Sequence, residues 1–207
     1  MAGYFAQVTL ISASADTADN QVNGFAVEAT TTPTFANLDS WTTAIKDFYD
    51  DVKFVDGCRG LTQNNHIVKF YDILGTAPNY PLYETTFNFD GALGTVDMPQ
   101  EVALCVSYKN TVANSVPRAR RRGRIYLSGW AETANTTGRP TATVYQGLAN
   151  AYATYVAAVN AISDFEAGVW SRTNGVVYPI DEVWCDNEWD TVRRRGGKAT
   201  TRFSVSV

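Results

Sequence analysis

Apolar positions recur along this chain in two periods, and the alternation between them lays out its elements. Residues 4–13 (Tyr-Phe-Ala-Gln-Val-Thr-Leu-Ile-Ser-Ala) and residues 22–29 around Phe25 and Val27 are β-branched and aromatic, which predicts two strands joined by a polar turn over Asp16 to Asn20. Pro33 ends the extended stretch. Beyond it Leu38, Trp41, Ile45, Phe48, Tyr49 and Val52 fall three or four apart, so the spacing predicts an amphipathic helix capped by Asn37 or Asp39. Lys46, Asp47, Asp50 and Lys53 decorate its solvated face.

After a loop marked by Gly57, Gly60 and residues 62–65, three further strands are predicted over residues 66–73, 82–89 and 102–108, with Pro78, Pro81, Asp90-Gly91 and Gly94 as breaks. The last of these, Val-Ala-Leu-Cys-Val-Ser-Tyr, is apolar on both faces and belongs inside a sheet. Residues 124–128 predict another strand and residues 131–140 a loop. Val144, Leu148, Tyr152, Tyr155, Val159 and Ile162 then predict a second helix, whose alanines let it lie close on a sheet. Residues 165–172 and 176–184 predict a hairpin around Thr173-Asn174-Gly175, and residues 203–207 a closing strand.

Long helices after the second and sixth predicted strands fit neither a pure sandwich nor a regular βαβ array. The order predicts an α+β fold, a single domain over residues 1–207. One mostly antiparallel sheet would carry both amphipathic helices on one face and leave its other face or edges for partners. The alternative is a jelly-roll β-sandwich with helical insertions.

Composition narrows the class. Charged residues are 18% and aromatics 13%, which excludes a disordered tail or a coiled coil and leaves a neutral surface suited to contact with copies of the same chain. The net charge of -4 is split: residues 1–117 carry 5 Lys/Arg against 13 Asp/Glu, and residues 118–207 carry 12 against 8. Such polarity steers one end toward phosphate or toward the acidic part of a neighbour. Cys58, Cys105 and Cys185 form no paired spacing and are expected to be reduced core thiols. The start, Met-Ala-Gly-Tyr-Phe, has neither a basic region nor a long apolar run, so synthesis in a host cytoplasm without membrane insertion is expected.

Catalytic constellations are poorly represented. His66 is the one histidine and lacks a nucleophile-elbow or Cys-Gly signature around it, so a polar residue opening a strand is its expected identity. Phosphate-binding glycine loops are missing, and no cofactor, small-molecule substrate or enzymatic activity is expected. Asp186, Glu188 and Asp190 would share one side of an extended segment and are weak candidates for a divalent metal site; pairing with the nearby Arg193, Arg194 and Arg195 is the competing role.

The unusual features are two arginine segments: Arg118, Arg120, Arg121, Arg122 and Arg124, and then Arg193, Arg194 and Arg195. Arginine without lysine favours planar, bidentate contact to phosphate or carboxylate. Three readings stay open for the first segment: phosphate contact on packaged nucleic acid, salt bridges across a subunit interface, or a solvated loop. Because it leads into the strand 124–128, its arginines are expected to be held at a sheet end, near Tyr126 and Trp130.

Met98-Pro-Gln-Glu-Val-Ala-Leu-Cys-Val-Ser-Tyr108, Arg120-Arg-Arg-Gly-Arg-Ile-Tyr-Leu-Ser-Gly129 and Trp189-Asp-Thr-Val-Arg-Arg-Arg-Gly196, with the strand Lys69-Phe-Tyr-Asp72, together resemble a group of virion structural proteins of bacteriophages and small environmental viruses. The resemblance implies a capsid-shell subunit that assembles with copies of itself, or else a tail or connector component. The N-terminal portion departs from small-virus coats, being acidic and strand-forming where those carry a basic arm, which puts direct genome packaging in doubt. An arginine-rich nucleic-acid-binding accessory protein is the reading from another class, and an acid-clustered metal hydrolase a third.

Overall fold

Two antiparallel sheets and two long helices make up the described part of the chain. The computed structural model describes residues 1–10, 21–54, 66–73, 81–88, 102–108, 121–127, 142–171, 176–180, 182–186 and 202–207. In chain order the elements are β1 (Ala2–Leu10), β2 (Gln21–Ala29), α1 (Phe35–Phe54), β3 (His66–Asp72), β4 (Tyr83–Phe87), β5 (Val102–Tyr108), β6 (Arg121–Leu127), α2 (Ala142–Asn160), β7 (Phe165–Ser171), β8 (Val176–Pro179), β9 (Glu182–Asp186) and β10 (Arg202–Ser206). The fold is α+β.

Six strands pair in the order β4-β3-β1-β2-β7-β8 and four in the order β10-β9-β5-β6, all neighbours being antiparallel. The sequence pattern predicts one sheet, and the second arises where residues 176–184, read as one strand, divide. The Ile180 amide still donates to the Ala167 carbonyl of the larger sheet, and Glu182 already pairs with Ser107 and Ser206 of the smaller. Pro179 closes β8 at the sheet edge, where its missing N–H costs no ladder bond. The Asn174-Gly175 turn and the loop 131–140 lie outside the described residues.

Alternation on β1 and β2 sends Tyr4, Ala6, Val8, Phe25 and Val27 into one core with Val68, Phe70 and Phe87. Both helices cover this face. Leu38, Trp41, Ile45, Phe48, Tyr49 and Val52 of α1 are buried there, as are Leu148, Tyr152, Tyr155 and Val159 of α2, positions the helical spacing singles out; Ile162 lies past the end of α2 and is partly buried, and the Val144 side chain lies outside the described residues. Phe25 is the hub, with its ring 5.0 Å from Tyr155 and 6.0 Å from Phe48. The helix α2 also packs on β9 and β10, and Ile125 and Val183 of the smaller sheet join the same core. Because the helices fill the core, they are not insertions in a sandwich.

Two polar pairs are sealed inside. Trp41 Nε1 donates to the Tyr155 hydroxyl at 2.9 Å, and Asn23 Nδ2 donates to the Tyr49 hydroxyl at 2.9 Å. Burial holds both tyrosine hydroxyls well above the usual phenol range, so they serve as neutral hydrogen-bonding groups.

The face of the larger sheet away from the helices has a smaller apolar cluster of its own. Phe5 lies 5.2 Å from Trp170, and a β-carbon at Gly24 would stand 2.4 Å from the Phe5 ring. Val177 of β8 would meet a β-carbon at Gly168 at 2.3 Å and one at Gly3 at 2.8 Å. Gly3 is on β1, with β2 and β7 intervening in the strand order, so the sheet curls until β8 reaches over its own middle.

Candidate functional site: the arginine strand at a sheet edge

Three arginines of the first segment, Arg121, Arg122 and Arg124, stand within a strand and do not merely lead into one. The strand β6 begins at Arg121, three residues ahead of the sequence-predicted start, because Arg121, Arg122 and Arg124 pair in register with Tyr108, Ser107 and Cys105 of β5. Among the described residues β6 has β5 as its one strand neighbour and so forms an edge of the four-stranded sheet. Ile125 is buried in the core. By alternation Arg121, Gly123, Ile125 and Leu127 occupy the positions of the core-directed face, and Arg122, Arg124 and Tyr126 those of the opposite face. Arg118, Arg120, Arg193, Arg194, Arg195 and Trp130 lie outside the described residues.

The same register places an acid in line with an arginine. Arg122, Ser107 and Glu182 form one cross-strand row over β6, β5 and β9; Arg124, Cys105 and Trp184 form the next. Trp184 is 1% exposed although it stands on the face opposite Val183, so this face is covered at β9.

Asp186 closes β9 directly opposite Arg202 of β10. Arg202 is therefore the residue that strand pairing sets across from Asp186, where sequence proximity points to residues 193–195. Glu188 and Asp190 lie outside the described residues. Cys185 faces Leu104 and Cys105 faces Trp184, so the two cysteines occupy opposite faces of adjacent strands. Cys58 lies outside the described residues.

His66 opens β3, buried with its ring 5.2 Å from Phe87. A shallow groove of about 540 Å³ between α1 and the end of α2 is lined by small side chains such as Ala44, Ala158 and Ala161, and Asp47 is its single ionisable residue. That lining offers no acid–base pair.

Three polar arrangements escaped the sequence pattern. Asp164 has φ of 69°, and its carboxylate accepts from the Thr30 hydroxyl at 2.6 Å and the Thr31 hydroxyl at 3.3 Å. The Thr30 bond is the main cause holding this carboxyl below its usual range. The Tyr83 hydroxyl donates to Asp39 at 2.7 Å, tying β4 to α1, and that bond raises the tyrosine above its ordinary value. On α1, desolvation and then the neighbouring Asp47 and Asp50 lift the Asp51 carboxyl, while Lys46 bridges Asp50 at 2.8 Å.

Among the described residues no helix is long and apolar enough to cross a membrane. Comparison with protein-family models, with curated proteins and with solved structures finds no match in any of the three.

Proposed function

We propose that this chain is a non-enzymatic virion structural protein, a capsid-shell subunit that assembles with copies of itself. The observation that carries the reading is the edge position of β6, where Arg121, Arg122 and Arg124 are fixed in a ladder with Tyr108, Ser107 and Cys105. A flexible packaging tail would leave arginines free to track phosphates; an ordered edge fixes the Arg122 and Arg124 positions on one face at a spacing of about 7 Å, two strand residues, which suits a surface that must match. The acidic first part of the chain, including Asp39, Asp47, Asp50 and Asp51 on α1, supplies a charge-complementary surface on a neighbouring copy. A tail or connector component would use the same contacts.

The second reading, an arginine-rich nucleic-acid-binding accessory protein, draws on Tyr126, which shares the face positions of Arg122 and Arg124 and is suited to base stacking. Replacing Arg120, Arg121 and Arg122 together with Ala separates the two. Loss of assembly with nucleic-acid affinity intact supports the subunit contact. Weakened binding with a flatter salt dependence and intact assembly supports the accessory role.

A further inference from the structure

The four sheet edges are not equivalent. Self-pairing of β6 centred on its arginine segment would set Arg122 against Arg124; β8 has four residues and ends in Pro179; next to β10 the one strongly exposed large hydrophobic side chain among the described residues is Val207, past the end of the strand. The remaining edge, β4, reads Tyr-Glu-Thr-Thr-Phe and has β3 as its one strand neighbour among the described residues. Beside it stand two of the most exposed large hydrophobic side chains of the molecule, Phe35 at 68% and Leu82 at 53%, with the Phe35 ring 5.3 Å from that of Tyr83. An edge strand with no second neighbour among the described residues, beside exposed apolar side chains, is a feature monomeric proteins avoid.

We infer that β4 is where two copies of this chain join, by antiparallel pairing of β4 with itself about a two-fold axis through Thr85. The inference rests on the self-assembly reading and names one of its contacts. The sequence of the strand is complementary to itself in that register. Thr85 faces the partner's Thr85, Glu84 faces the partner's Thr86, and Tyr83 faces the partner's Phe87, so no like charges oppose and a Thr–Thr pair lies on the axis. Glu84 is already engaged within its own copy by Lys69 at 3.2 Å. An axis perpendicular to the sheet keeps both α1 helices on one face and joins the two six-stranded sheets into one of twelve. Each Phe35 ring, packed on Tyr83 at the end of β4, then stands beside the junction, where pairing shields it from water.

Thiol cross-linking reads the register directly. Facing Cα atoms on the axis are separated by about 4.5–5.5 Å, a disulfide distance, whereas positions one residue off the axis face a different residue. Under mild oxidation T85C is expected to give a covalent dimer on a non-reducing gel, several-fold more than T86C or the wild type with its native cysteines. F35S should weaken the non-covalent dimer in sedimentation while leaving the thermal unfolding transition cooperative. Wild type that assembles while T85C stays uncross-linked, or T86C cross-linking as well as T85C, overturns the β4 contact and leaves self-assembly standing by another surface. A T85C dimer with wild type that stops at two copies supports the contact and removes the shell reading.

Discussion

Asp164 shows most clearly how one side chain can fix a backbone turn. Its left-handed φ is tolerated by Asp because the short carboxylate bonds locally, here to Thr30 and Thr31 at the end of β2, while the Thr30 amide donates to the Asp164 carbonyl at 3.1 Å. D164A is expected to lower the melting temperature more than D164G, since alanine loses the carboxylate and keeps the strain. The folded carboxyl titrates below its unfolded value, so its contribution is complete above about pH 4 and is lost as pH falls through the folded value. Urea melts of wild type and D164N should therefore differ at pH 7 and draw together as pH falls below the usual carboxylate range; a gap that widens on acidification contradicts the assignment. In the core, Y155F leaves the buried Trp41 N–H without its 2.9 Å acceptor, at an expected cost of about 1–3 kcal/mol. Adding W41F should then cost less than the two single changes summed, as a double-mutant cycle would show.

Elements are where local chemistry and long-range pairing part company. The spacing that predicts α1 and α2 is fulfilled because a helix carries its own period, but the start of α1 lies earlier than Asn37 or Asp39. Thr34 is the cap: its hydroxyl accepts from the Asn37 amide at 3.2 Å, and Asn37 Oδ1 accepts from the Thr34 amide at 3.0 Å, a reciprocal box in which Asn37 is the inner member. T34A is expected to destabilise the protein by about 1 kcal/mol in chemical denaturation. The close packing of β8 makes a sharper prediction. G168A would press a methyl to 2.3 Å from Val177 and 2.7 Å from the Tyr178 carbonyl, so a loss of about 1–3 kcal/mol is expected. Strands were legible from alternation, but their assignment to sheets was not. Residues 176–184 read as one extended run, and a change of partner from Gly168 at Pro179 to Ser107 at Glu182 leaves no mark in side-chain period. Pro179 was the one local signal, and proline at an edge is equally at home where no switch occurs.

At the scale of the molecule, the arginines were legible by composition and their setting was not. Arg121 to Gly123 have little strand propensity, and what extends β6 through them is the ladder to Ser107 and Tyr108, more than ten residues upstream. Likewise the position across from Asp186 in the ladder is Arg202, set there by antiparallel pairing and invisible to a search of near neighbours. Chain polarity then becomes a statement about association: an acidic first part and a basic second part attract between copies at low ionic strength and are screened when salt shortens the Debye length from about 10 Å at 0.1 M to about 3 Å at 1 M. The account requires assembly that responds to salt. Negative-stain electron microscopy of the purified full chain, imaged at low and high salt over a concentration series, tests this most directly. Closed particles or rings that form at low salt and diminish at high salt are the predicted result; dispersed monomers at every concentration and both salt levels would contradict it.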